Sequence, residues 1–127
     1  MGEILVVGLG GFIGSALRYL INKELNIFLT AIPSGTLLVN IIAGLAIGFV
    51  IGFEPLSHIS ERSRLFIVSG LLGGLSTFSA FSAETIVLLE DKQYLFGGLN
   101  ILANVGLSLL AVVIGLLVAR VLTGGTK

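Results

Sequence analysis

The sequence predicts an all-α membrane protein of four short transmembrane helices. Two observations carry this. Hydrophobic residues make up 55% of the 127-residue chain and charged residues only 11%, with a mean hydropathy of +1.11, far from the roughly half-apolar, quarter-charged mixture of a soluble domain. The apolar residues also fall into four stretches of spanning length, since a hydrocarbon core of about 30 Å takes about 20 helical residues. Such a chain is filled by its spans, so its chemistry is expected to happen within the bilayer as one four-helix unit over residues 1–127.

Span one is read from Ile4 to Ile21. It has no basic segment ahead of it and exceeds signal-peptide length, so it reads as a retained helix. Span two runs from Gly35 to Phe53, between Pro33 and the pair Glu54 and Pro55. Span three runs from Leu65 to Leu89, after the charged stretch Glu61, Arg62, Ser63, Arg64 and before Glu90, Asp91, Lys92. Span four runs from Leu95 to Val121, with Tyr94 and Arg120 at its interfaces.

Charge placement bears on orientation. Four spans put Arg62, Arg64, Arg120 and Lys127 on one side and Arg18, Lys23 and Lys92 on the other. A bias that small leaves two outcomes open: one preferred orientation, or insertion both ways, which permits an antiparallel homodimer.

Polar groups inside a bilayer face a protein interior or a wet path. Span two carries Thr36, Asn40, Gly44, Gly48 and Gly52 at four-residue spacing, along one helix face. The glycines allow close helix approach, and Asn40 puts an amide beside that seam, either as interhelical glue or as a pore-lining group. Span four repeats the pattern with Asn100, Asn104 and Ser108, then Ala111 and Gly115. Two rows of neutral hydrogen-bonding groups without Lys or Arg suit a narrow route for an anion that must not be trapped.

Span three holds GLLGGLSTFSAFSAET from Gly70 to Thr85. Its glycines and hydroxyls make a poor continuous helix, so either the helix breaks near mid-span or the small residues serve close packing. A break would free main-chain carbonyls suited to a hard cation such as Na⁺. Phe78 and Phe81 lie three apart; they are core or lipid-facing rings, or else edge-on partners of a small anion. Glu84 is an ionisable group inside the span, open to a vestibule, to pairing with Arg18, or to protonation. Arg18 beside Tyr19 reads as an interfacial snorkel or an anion entrance.

Several classes are set aside. The chain has no cysteine and one histidine, so thiolate and His-based metal sites are excluded. No basic run suggests nucleic acid. Gly8, Gly10 and Gly14 imitate a dinucleotide loop, but no Asp or Glu stands between Glu24 and Glu54 to complete one. His58 has no evident partner, and no catalytic constellation is present.

Three blocks, GGFIGSALRY (10–19), GTLLVNIIAG (35–44) and GGLSTFSAFSAE (73–84), together resemble the signature segments of the CrcB/Fluc fluoride channels, and the resemblance extends over essentially the whole chain. It implies an antiparallel, dual-topology homodimer in the plasma membrane with two fluoride pathways and a central structural Na⁺. By similarity, Asn40, Phe78, Phe81, Thr77, Ser79, Ser108 and Asn104 would line the fluoride pathway. Gly73 and Ser76 would offer main-chain carbonyls to Na⁺; the resemblance adds nothing on Arg18 and Glu84, for which a vestibule stays one of the alternatives read from their own placement. Ser76 stands where the family often has Thr, and Asn100 and Asn104 where it often has Tyr or Ser. The implied activity is passive fluoride export, not an enzymatic reaction. Two other classes compete: a small multidrug-resistance-type exporter, which needs a membrane carboxylate that span one lacks, and a non-transporting assembly subunit.

Overall fold

The computed structural model describes residues 1–25, 33–53 and 58–124. Glu54, Pro55 and Lys127, used above as flanks and in the charge count, lie outside them. The described residues are helical, with no strand. Four helical segments are long and apolar enough to cross a membrane: Gly2–Leu25, Ser34–Phe53, Glu61–Glu90 and Tyr94–Leu122. Each contains the span expected from hydropathy. The helices run a few residues further because backbone hydrogen bonding continues past the apolar stretch. Thus Ser60, whose Oγ accepts the Ser63 N–H at 3.2 Å, caps a helix through the charged residues Glu61–Arg64.

We label the helices α1 (Gly2–Leu25), α2 (Ser34–Phe53), α3 (residues 61–75), α4 (Phe78–Glu90) and α5 (Tyr94–Leu122). Span three is therefore two helices, broken at Ser76 and Thr77. Part of α3, Leu65–Leu72, is π-helical, a widened form that hydropathy did not anticipate. The run LFIVSGLL is apolar nearly throughout, so it has no stripe whose period could separate an α from a π turn.

Even-numbered spans run in the same direction, and α2 and α5 pack in parallel over the most extensive contact in the fold. A Cβ at Gly44 would lie 2.8 Å from the Ser108 carbonyl, one at Gly48 would meet the Val112 carbonyl, and one at Gly52 would lie 2.7 Å from the Leu116 carbonyl. The four-residue glycine stripe thus brings backbone against backbone. Helices α1 and α3 do the same through Gly10, Gly14, Gly70 and Gly74; a Cβ on Gly74 would lie 2.6 Å from the Gly11 carbonyl. Between the two pairs sits a small core of Val39, Ala43, Leu72 and Leu75. Outward faces are apolar and exposed, as expected of helices solvated by lipid.

The turn from α4 to α5 is tight. Lys92 takes a left-handed conformation, φ 60°, and the Gln93 N–H reaches back to the Leu88 carbonyl at 2.8 Å.

Candidate functional site: a polar groove at the helix break

In a continuous helix the Thr77 N–H would bond to the Gly73 carbonyl and the Ala80 N–H to the Ser76 carbonyl. Neither bond forms. The Thr77 N–H donates to Asn40 Oδ1 at 2.8 Å, and Asn40 Nδ2 returns a bond to the Thr77 carbonyl at 3.2 Å. This two-point clasp imitates a strand pairing and holds Thr77 extended, at φ −152° and ψ 122°. Thr77 Oγ1 then accepts the Ala80 N–H at 3.2 Å and caps α4. Ser76 keeps its own N–H on the Leu72 carbonyl at 3.1 Å, and its hydroxyl adds a second bond there at 3.0 Å.

These exchanges leave two ends facing each other at mid-span. The Gly73 and Ser76 carbonyls lose their helical donors at the negative end of α3, while the first turn of α4 presents its positive end. A hard cation suits the former and an anion the latter. Main-chain carbonyls of this kind are oxygen donors whose chemistry would suit a hard cation.

Beside the break lies a groove of about 370 Å³ between α2, α4 and α5. Asn40, Ser76, Thr77, Phe78, Phe81, Asn104 and Ser108 line it, with apolar side chains of α2 and α5 completing the walls. No charged side chain lines it. Phe81 is 8% exposed and Phe78 77% exposed; their rings meet edge to face at 5.3 Å between centroids. Ser108 Oγ is buried and has no hydrogen-bonding partner among the described residues, which leaves a hydroxyl donor unused at the groove wall.

The expected residues thus divide. Asn40, Phe78, Phe81, Thr77, Ser108 and Asn104 come together at the groove, with Ser76 at its edge. Ser79 does not line it: this side chain is exposed and sits 3.2 Å from the Thr77 hydroxyl. Gly73 lies outside the lining too, as do Arg18 and Glu84. Glu84 accepts a 2.6 Å bond from Thr36 Oγ1, and its other oxygen is buried without a partner among the described residues, so Arg18 does not pair with it. Sequence reasoning missed the connection of Thr85 and Asn100 to the site: Asn100 Nδ2 donates to Thr85 Oγ1 at 2.9 Å. The available signal was spacing, because Thr85 follows Phe81 by one turn and its hydroxyl returns to the Phe81 carbonyl at 2.7 Å.

Fold and site define a multi-pass membrane protein with a neutral polar groove at a broken helix, a class that fits ion passage. Residues 5–116 match the family described as CrcB-like protein, Camphor Resistance (CrcB). The chain is 48% identical over 120 residues to a protein of Clostridium perfringens, covering 93% of this chain and 94% of the relative. It is 47% identical over 113 residues to one of Clostridium novyi, covering 87% and 88%, and 48% identical over 105 residues to one of Methanococcus maripaludis, covering 83% and 85%. All three relatives carry the name fluoride-specific ion channel FluC. The chain belongs to the CrcB family.

Proposed function

We propose that this protein is a subunit of a fluoride channel in the plasma membrane that lets fluoride leave the cell passively. The observation that carries the reading is the groove itself, a set of neutral donors and aromatic edges at the positive end of a half-helix, with no charge to trap an anion. Family membership supports the choice of ion. Fluoride exchanges water for the Ser108 hydroxyl and for the positive edges of Phe78 and Phe81, beside the Asn40 amide, whose two hydrogens stay on the Thr77 carbonyl and Asn104 Oδ1 and keep the break in shape. Larger halides are rejected by width and by donor spacing suited to a smaller ion.

The working unit is an antiparallel homodimer with the chain inserted in both orientations. The 77% exposed Phe78 ring at the groove supports this, since a second copy would cover it. The Gly73 and Ser76 carbonyls, which the Asn40 clasp and the Thr77 cap deprive of helical partners, would hold Na⁺. When bound it supplies a fixed positive charge at the break. Asn40 and Thr77 keep those carbonyls free whether or not an ion is passing.

Efflux tests the reading. Purified protein in fluoride-loaded liposomes, with a K⁺ ionophore releasing the voltage, is expected to discharge fluoride and retain chloride, and Phe81→Ile or Asn40→Asp is expected to stop it. No fluoride flux from a well-folded dimer overturns the reading in favour of an assembly subunit.

A further inference from the structure

Behind the groove, three asparagines form a hydrogen-bonded ladder whose direction is set at both ends by main-chain groups. At one end the Thr77 N–H can only donate, so Asn40 must turn Oδ1 to it. Asn40 Nδ2 then points to Asn104, which accepts through Oδ1 at 3.0 Å. Asn104 Nδ2 in turn donates to Asn100 Oδ1 and to the Asn100 carbonyl, both at 3.0 Å. Asn100 Nδ2 donates to Thr85 Oγ1, and the Thr85 proton goes to the Phe81 carbonyl, which can only accept. Each link allows one sense only. Asn100 is 0% exposed, Asn104 4% and Thr85 5%, so a reversed amide would leave donors facing donors in a dry interior.

We infer that Asn104, Asn100 and Thr85 are positioning residues for fluoride passage, a brace that aims the Asn40 amide and holds Thr77 extended, and that Asn104 is not itself a ligand of the ion. Both Asn104 amide hydrogens are committed to Asn100, and neither Asn100 nor Thr85 lines the groove. The ladder begins at Thr77 and ends at Phe81, which do line it. It therefore ties the break to the main chain of Phe81 one turn along α4, and a hydroxyl that the ion never meets controls how the ion is received. Hydrogen bonds in series also polarise one another, so a cut at one end is felt at the other.

The inference rests on the groove being the fluoride route, and its test has a readout independent of flux. Relative to wild type, Thr85→Val is expected to slow fluoride efflux about threefold and Asn104→Leu about tenfold, the scale of one buried hydrogen bond lost far from Asn40 and one lost beside it. The double variant is expected to match Asn104→Leu within about twofold, because the ladder is already cut there; independent losses that multiply to about thirtyfold overturn the brace. In parallel, the Asn40 side-chain amide signals are followed by NMR on protein with isotope-labelled asparagine. Thr85→Val, a shape-conserving change expected to fold, should shift those signals. Unmoved Asn40 signals overturn the inference even where Asn104→Leu does not fold. If Thr85→Val moves those signals but the wild-type protein passes no fluoride, the brace stands while the channel reading fails.

Discussion

The α2–α5 seam has two halves made by one repeat and put to opposite uses. From Gly44 onward, glycine at every fourth position of α2 meets main chain of α5, with Gly115 set against the Leu45 carbonyl in return. From Asn40 toward the start of α2 the same face carries Thr36 and Asn40, which meet Glu84 and Asn104. In the glycine half the helices touch backbone to backbone. In the polar half the helices meet through side chains and the third span breaks; the groove starts there, at Asn40 and Asn104, and runs on past Gly44 and Val112. A close-packed half thus supplies rigidity against which a polar, opened half can be held. The difference shows that four-residue spacing encodes a shared face but not what that face does.

Breaking the comparison on its rigid side has the largest expected effect. Gly48→Ala puts a methyl group on the Val112 backbone, which cannot rotate aside as a side chain can. We expect a loss of about 3 kcal/mol or more, as for severe overpacking, seen as aggregation on size-exclusion chromatography or a much lower Tm in detergent. Asn40→Leu attacks the polar half and leaves the Thr77 N–H and carbonyl unpaired. The expected loss is about 2–3 kcal/mol, in a chain that still assembles but passes no fluoride in the liposome assay. If Asn40→Leu proves more damaging to folding than Gly48→Ala, rigidity resides in the polar half instead.

Smaller changes sharpen the contrast. Thr36→Val removes the donor to Glu84 without disturbing the helix contact, and is expected to lower stability by about 1–2 kcal/mol. That is measured by thermal unfolding beside a Thr36→Ser control, which keeps the hydroxyl. Lys92→Gly lies outside both halves, at φ 60° in the α4–α5 turn. Glycine takes that conformation at less cost, so a gain of about 0.5–1 kcal/mol in stability is expected, visible as a slightly higher Tm.

Much of this architecture was legible before any coordinates. Apolar stretches of spanning length announced the four spans, and the stripes through Asn40 and Asn104 announced two facing rows. Glycines followed by hydroxyls in span three announced a segment able to break, though not whether it would. What stayed illegible has identifiable causes. The π turns of Leu65–Leu72 lie in a run whose single polar residue, Ser69, cannot report a period. Ser79 matched the pattern of a pore hydroxyl, yet the turn that α4 begins at Phe78 carries it to an exposed position beside Thr77. The expected Arg18–Glu84 alternative gave way to Thr36, which shares the buried face with Glu84.

Solvent preference and spacing are properties of the chain itself. By sequence alone this protein was committed to lipid, to four crossings, and to glycine and amide faces at one-turn intervals. Which amide meets which backbone group depends on helices from distant parts of the chain meeting in one register. Only that meeting turned the Thr77 N–H from Gly73 to Asn40, freed two carbonyls, and gave the asparagine ladder its single direction. A hydrogen bond needs distance and angle as well as a donor and an acceptor, and those come from the packed helices.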